Sequence, residues 1–552
     1  MTVSNHAVTP PEEPMLLVHR LTVLTVAVLV AHCRNGDGGP TSASASGVAA
    51  GWAPSRVAEI YFTTEVAGYV EPCGCTTKPL GGLPRLASVV RSGRHDRILV
   101  DAGNLLFPPK GIDDVTRAQH LLKADLLARA YRRLGASALN VAAADLSEGA
   151  GFLKLLQREG ATPFVSANVR PVGDHGPEVA RSYLRTVGRV KIGFTGATLP
   201  ESLTGIDQMT ALEYAPVVGA EVRSLQERGA DVVVVLAHMS EPLAQELART
   251  VKGIDLILRA PGTSIESKPV APSRVGQTVI AEAGSQGQYV GRVTLALGPD
   301  RPKPLLFDEG DRRHRRKQSM LERKIRAFQT QLEAWQDDPA KAAVVATKQK
   351  IITRLKAQLA APPPPVVPPS SPYVRVEQIA LTDEIKSDPS LNAALKSYYG
   401  QLQAMNAEKG DPAKCAPKPE LATYVGTAKC AGCHPDAFAF WKKTKHAAAW
   451  KTLTKDNKQY DLTCVGCHVV GYQKPGGFCR VKDVSGFEDV GCENCHGPGS
   501  IHAESGDASA NVLKSTEATC ADQCHVPEHS DAFNYSTYLR QVTGPGHELQ
   551  EN

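Results

Sequence analysis

The sequence predicts a multidomain chain: an N-terminal α/β domain, a helical and proline-rich linker, and a C-terminal domain mostly of helices and loops. Three observations predict it. From Ala58 to about Leu297, short β-branched runs alternate with amphipathic stretches. Between Pro362 and Pro372, seven prolines crowd into eleven residues. From Cys430 to His525, pairs of cysteines closed by a histidine recur four times. At 552 residues the chain is too long for one core. Its apolar (42%) and charged (22%) fractions are those of an ordinary globular protein. Thirteen cysteines are out of place in a reducing cytosol.

Residues 1–33 read as a signal peptide. Arg20 precedes an uncharged apolar run, Leu21 to Ala31, too short to span a bilayer comfortably. Met15 is an alternative start, because Glu12 and Glu13 suit a signal n-region poorly. Val30-Ala31-His32-Cys33 resembles a bacterial lipobox, with His32 departing from the small residue expected there. Export is therefore expected, with Cys33 a candidate lipid-bearing N-terminus that would anchor the protein to a membrane. Residues 34–57, rich in Gly, Ser and Ala, form a flexible tether.

Residues 58–305 form the α/β domain. Ile60-Phe62, Ile98-Val100, Val190-Phe194, Val232-Leu236 and Ile254-Leu258 read as buried strands. Val115-Leu134, Ala211-Arg228 and Leu243-Val251 read as amphipathic helices. Strands end in small or polar residues, such as Asp101 to Asn104 and Ala237-His238, where α/β folds place ligands. The order of Tyr61 to Val70, Val100 to Asn104, Asn140 to Asp145, Ser166 to Val169, Leu236 to Met239 and Ile257 to Thr263 resembles the calcineurin-like metallophosphoesterase domain of bacterial 5′-nucleotidases. That resemblance implies a metallophosphoesterase-like β-sandwich flanked by helices, with a two-metal site at the strand ends. The ligands do not carry over. Glu65 and Ala67 stand at the family's Asp-x-His, Asn104 at the Asp of its Gly-Asp pair, and Ala143 and Ala144 at its Asn-His pair. Ala260, Pro261, Gly262 and Thr263 stand at its final Gly-His-x-His. His238, Glu65 and Asn104 are too few to hold two ions, so the fold is expected without its hydrolytic site.

Glu71-Pro72-Cys73-Gly74-Cys75 follows the first strand at the rim of that cleft. Cys73 and Cys75 read either as a thiol pair or half a metal site, or as a glycine-rich turn with a local disulfide or buried thiols. Residues 306–372 read as a helical hairpin and a stiff linker. Leu321, Ile325, Phe328, Leu332 and Trp335 make one apolar face, and Asp337-Asp338-Pro339 breaks the pair. The basic cluster from Arg312 to Lys317 reads as a solvated helix end or a contact to anionic lipid. Residues 373–423 are expected to be a helical connector.

Residues 424–552 carry the chemistry. Cys430/Cys433/His434, Cys464/Cys467/His468 and Cys492/Cys495/His496 each spell Cys-x-x-Cys-His, and Cys520/Cys524/His525 has one extra residue between its cysteines. Two thiols at this spacing add across the vinyl groups of one haem, and the following histidine becomes an axial ligand of the iron. Structural zinc also uses such cysteine pairs, but gives no reason for a histidine after each second cysteine. Four covalent haems c are expected, and macrocycles would supply much of this domain's core. Their propionates turn the formal +5 charge negative, which removes any case for nucleic acid. With Trp441 to His446, Cys467 to Phe478 and His496 to His502, the segment from Tyr424 to about Phe533 resembles tetrahaem cytochromes c of the c-554 type. The resemblance implies that His446 and His502 are distal ligands of neighbouring haems. His529 and His547 are the other spare histidines; His529 lies close after His525, and His547 in a polar tail. At least one haem is therefore expected to lack a distal histidine. Cys415 and Cys479 flank the domain as a candidate disulfide.

The favoured function is an exported electron carrier, in the periplasm or on the outer face of a membrane, serving periplasmic redox proteins. Its phosphoesterase-like domain would serve docking or binding. The rival is an enzyme: a haem reductase of a small nitrogen or sulfur species at a five-coordinate haem, or a metal-dependent phosphohydrolase with an altered site.

Overall fold

The computed structural model describes residues 54–72, 79–160, 162–173, 176–206, 208–262, 269–299, 305–308, 312–335, 341–360, 371–484, 486–507, 513–526, 530, 533–545 and 547. The signal segment, Cys33, Cys73, Cys75 and His529 lie outside them.

The strands, in chain order, are β1 (Arg56–Thr63), β2 (Arg97–Asp101), β3 (Ala136–Asn140), β4 (Phe164–Val165), β5 (Val169–Pro171), β6 (Ser182–Val187), β7 (Val190–Thr198) and β8 (Met209–Ala211). There follow β9 (Val232–His238), β10 (Leu256–Ala260), β11 (Ser273–Val275), β12 (Thr278–Ala281), β13 (Tyr289–Leu297), β14 (Leu306–Asp308) and β15 (Tyr373–Ala380). The longer helices are α1 (Leu83–Arg91), α2 (Arg117–Arg133), α3 (Gly149–Gly160), α4 (Tyr214–Glu227), α5 (Glu241–Thr250), α6 (Arg312–Trp335), α7 (Ala342–Leu359) and α8 (Pro389–Asn406). Besides the small pair β5-β8 there are two large sheets, one running β14-β15-β13-β1-β2-β3-β4 and the other β11-β12-β10-β9-β7-β6.

The two sheets pack face to face. Ile60, Phe62 and Val100 of the first share a core with Phe194, Val234, Leu236 and Leu258 of the second. Alternate residues point the other way, as the period of two requires. Tyr61 and Leu99 lie under Leu86 of α1, Leu127 of α2 and Leu395 of α8. Val233 and Val235 lie under Val222 and Leu225 of α4 and Leu247 of α5. The result is four layers, helix–sheet–sheet–helix. It also explains the unbroken apolar run of β9, because a central strand covered on both faces has no polar side to present.

The connector departs from expectation. Residues 373–380, expected to be helical, form β15, which pairs antiparallel with β13 over its whole length, from Tyr373↔Ala296 to Tyr289↔Ala380. The reason is a short period-two pattern: Val374 and Val376 are buried in the intersheet core between more exposed Tyr373, Arg375 and Glu377. α8 then starts at Asp388, whose carboxylate accepts from the backbone N–H groups of Ser390 and Leu391. Leu391, Leu395, Tyr398 and Leu402 recur every three or four residues and join the helical layer over the first sheet. The α/β domain is thus discontinuous: the hairpin of α6 and α7 and the proline-rich linker interrupt it, and β15 and α8 complete it.

The C-terminal domain has short helices and little side-chain core. Among its described residues, the main buried apolar cluster is Val465, Val469, Phe478 and Val481. A disulfide joins Cys415 to Cys479, with Cα atoms 5.7 Å apart. Among the described residues no helix is long and apolar enough to cross a membrane.

Candidate functional site

Each motif begins on a short helix. Cys430 ends Thr427–Cys430, Cys464 lies in Leu462–Val465, Cys492–His496 is itself helical, and Cys520 lies in Glu517–Ala521. The backbone then closes a turn that brings the histidine back over its cysteines: the N–H groups of His434 and His525 donate to the carbonyls of Cys430 and Cys520, both at 2.9 Å. The extra residue in the fourth motif leaves this closure intact. All eight cysteines and all four motif histidines line one chamber of about 2330 Å³. That is well beyond the roughly 300–1,000 Å³ of an ordinary single-ligand site. Phe438 and Trp441 stack at 5.5 Å on its wall, and Trp441 Nε1 donates to the Val490 carbonyl at 2.9 Å. Burial pushes the Cys464 and Cys495 thiols up.

Histidine rings face one another across the chamber in three pairs. Ring centroids are 6.0 Å apart for His434 and His502, 6.3 Å for His446 and His525, and 6.1 Å for His496 and His547. Two imidazoles bound on opposite sides of one iron, with metal–nitrogen bonds of about 2 Å, hold their centroids about 6 Å apart. Among the motif and facing histidines, four have Nδ1 engaged, while His547 Nδ1 is buried without a partner among the described residues. Nδ1 donates to the carbonyl of Ala449 from His468 (2.7 Å), of Leu513 from His496 (3.1 Å) and of Asp507 from His502 (2.8 Å). His525 Nδ1 lies 3.1 Å from Ser530 Oγ. A ring whose Nδ1–H is so occupied keeps the Nε2 lone pair for a metal, the usual way a protein fixes a ligand's tautomer. The residues present therefore fit haem.

Of the spare histidines, His502 faces His434 and His446 faces His525. His547, the spare histidine near the end of the chain, faces His496. His529 lies outside the described residues, as do Cys73 and Cys75.

The strand ends of the α/β domain bring together Glu65, Asn104 and His238, the three residues that the sequence singled out there. Glu65, Asn104 and His238 are all buried and turned on one another. Asn104 Nδ2 donates to Glu65 Oε2 (3.0 Å) and lies 2.9 Å from His238 Nε2, which is 3.0 Å from Glu65 Oε1. The Gly262 N–H donates to the same Oε1 at 2.9 Å. Glu65 (φ 48°), Ala67 (φ 54°) and Asn104 (φ 57°) occupy left-handed backbone that non-glycine residues adopt at a cost, a feature concentrated at ligand sites. Among the described residues no three or more His, Cys, Asp or Glu side chains group as metal ligands.

The chamber lined by the four motifs also reaches this cleft. Glu65, Ala67, Ser285 and Gln286 form part of its wall, as do Glu71 and Pro72 beside the cysteine pair. A polar seam joins the two domains there. Gln119 of α2 is fully buried; its Nε2 donates to Asp461 Oδ1 at 2.9 Å, and its Oε1 accepts from Leu462 N (3.1 Å) and Asn406 Nδ2 (3.2 Å). Lys458 pairs with Glu71 at 2.8 Å, and Tyr399 of α8 donates to the same carboxylate at 2.5 Å. No signal in the sequence marked this seam.

Residues 429–497 match the family model described as cytochrome c554 and c-prime. This region is cytochrome c554-like. A curated cytochrome c-554 from Nitrosomonas europaea is 36% identical over 114 residues, 17% of this chain and 48% of that protein. The chain thus spans about half the length of the relative it matches. C-type cytochromes hold haem through cysteine thioethers, so covalent haem c is what this match implies. Solved structures that the chain is similar to include a 5′-nucleotidase precursor from Thermus thermophilus (TM-score 0.43, 15% identity, 64% of this chain and 61% of that one). A sulfate thiohydrolase SoxB, also from Thermus thermophilus, matches at TM-score 0.42 and 14% identity, over 69% and 67% of the two chains. A calcineurin-like phosphoesterase from Bacillus subtilis matches at TM-score 0.36 and 20% identity, over 44% and 86%.

Proposed function

We propose that this chain is an exported multihaem c-type cytochrome that passes electrons between periplasmic redox partners through four covalent haems. The observation that carries this reading is the set of three histidine pairs, each spaced for one iron, in a single chamber lined by eight cysteines. Cys430/Cys433, Cys464/Cys467, Cys492/Cys495 and Cys520/Cys524 would each hold one haem, with His434, His468, His496 and His525 as axial ligands. His502, His547 and His446 would be the second axial ligands opposite His434, His496 and His525. Haem bound this way supplies one-electron storage, and an iron with two histidines takes no further ligand. The disulfide between Cys415 and Cys479 supports an oxidising compartment.

The phosphoesterase-like domain acts as a wall and docking body, without hydrolysis. What supports this is the engagement of Glu65, Asn104 and His238 with one another, beside Ala67 and Gly262 at former ligand positions. Intact mass of the full chain should exceed the apo-protein by four haems; three would remove Cys520, Cys524 and His525 from the set. H547A should turn one six-coordinate haem high-spin in absorption and paramagnetic resonance spectra, while leaving the stoichiometry at four. The full chain incubated with manganese or zinc should leave nucleotides and simple phosphoesters intact. Turnover that H238A abolishes would overturn the non-hydrolytic reading.

A further inference from the structure

The seam between the domains puts a histidine of the α/β domain on the haem chamber. Gln119 and Lys123 of α2 both reach Asp461, at 2.9 Å and 3.8 Å. Asp461 in turn caps the helix that carries Cys464, accepting from Thr463 N at 3.1 Å. The second motif is therefore fastened to α2 through buried polar contacts. His120, the residue after Gln119, lines the chamber along with Cys464, Cys467 and His468. The side chain is nearly buried, yet no hydrogen bond from its ring to a described residue is formed. In contrast, His468, His496, His502 and His525 each have Nδ1 occupied.

The charges around His120 come from each element packed on it: Lys123 on its own helix, Asp113 in the preceding loop and Asp461 from the haem domain. Burial first, and Lys123 second, hold the imidazole down at about 4, against the pull of Asp461 and Asp113. At neutral pH the ring is thus an uncharged base facing a chamber in which charge will change. An added electron raises the proton affinity of a nearby base, and a low-dielectric chamber transmits that effect with little screening.

We propose that His120 completes the haem site at Cys464 and Cys467 as its proton acceptor. One electron delivered by a reduced redox-partner protein is accompanied by one proton from solvent, taken up on the His120 imidazole. When the electron passes to an oxidised partner, the proton returns to solvent. The α/β domain then has a functional part in the cytochrome, because the group that compensates the charge is its own. This inference rests on the electron-transfer reading, which haem stoichiometry and spectra test separately.

The experiment is spectroelectrochemical titration of the full holo-chain from about pH 2.5 to about pH 9, in the wild type, H120Q and D113N. In the wild type, one haem's midpoint should fall as pH rises, from near the acid end of that range upward. For a one-electron couple the limit is about 59 mV per tenfold change in proton concentration. H120Q should flatten that dependence, with four haems still bound and the other potentials unmoved. D113N removes a carboxylate that favours the protonated ring, and should move the onset of the slope to lower pH. A wild type with no pH-dependent haem, or an H120Q protein that keeps the slope, would overturn the proposal. Should H120Q fail to mature, D113N decides: an onset that stays in place also overturns it.

Discussion

At the scale of single residues, three non-glycine positions at the strand ends of the α/β domain hold left-handed backbone. Glu65, Ala67 and Asn104 hold it because hydrogen bonds from neighbouring strand ends over-determine it: Glu65 N to Gly103 O (3.2 Å) and Ala67 N to Asn104 O (2.7 Å). Behind them, the Asp145 carboxylate accepts from the N–H groups of Asn104, Leu106 and Ala142, at 3.0, 2.9 and 3.1 Å. Even so, burial lifts Asp145 to about 6. The sign follows directly. A folded-state value above the unfolded one means that the folded protein binds this proton more tightly. Its stabilisation is present in full below about pH 4 and is lost as pH rises through about 6, amounting to about 3 kcal/mol. Chemical denaturation of the full chain across that window should show the decline, and D145N should flatten it. An unchanged slope in D145N would place the titration elsewhere.

At the scale of elements, α2 packs its apolar side, including Leu127 and Tyr131, on the first sheet, and its N-terminal turns carry Gln119, His120 and Lys123 to the haem domain. Gln119 satisfies Asp461, the N–H of Leu462 and the amide of Asn406 at once. Replacing it with leucine strands the Leu462 N–H in a buried seam, while Asp461 keeps Thr463 and Asn406 keeps the Tyr460 carbonyl. Q119L should therefore lower the stability of the full chain by about 1–3 kcal/mol, the cost of one buried group left unpaired, in denaturant titrations followed by haem absorption. Because Asp461 caps the helix of the second motif, the haem there should be the one whose spectrum broadens. A Q119L protein as stable as wild type would mean that the seam carries little of the coupling.

At the scale of the whole molecule, the chain order and the spatial order differ. β15 and α8 come after the hairpin and the proline-rich linker, yet β15 closes the first sheet against β13, and α8 lies over that sheet. The far side of α8 then reaches the haem domain through Asn406, which donates to the Tyr460 carbonyl at 2.9 Å. One helix is shared by both cores. The two domains should therefore unfold together, with far-ultraviolet ellipticity and haem absorption tracing one coincident transition. Two separated midpoints would show that the seam and α8 do not bind the domains into one cooperative unit.

The sequence by itself carried the cysteine–histidine motifs and the strand pattern of the α/β part. Thiol spacing followed by histidine is a local covalent constraint, complete within five or six residues, so Cys430 to His525 were legible without a fold. The strands of the sandwich were legible for a related reason: a period of two and runs such as Val232 to Leu236 record burial on one face or both. What the tertiary structure decided were the relations between distant segments. It set His547 against His496, brought Asp461 under Gln119, and made residues 373–380 a strand where the sequence predicts a helical connector. A side chain's second partner, unlike its own backbone preference, depends on chain closures that local patterns do not encode. That is why the haem-attachment motifs could be read residue by residue, while the wall of the chamber, His120 included, had to be seen in space.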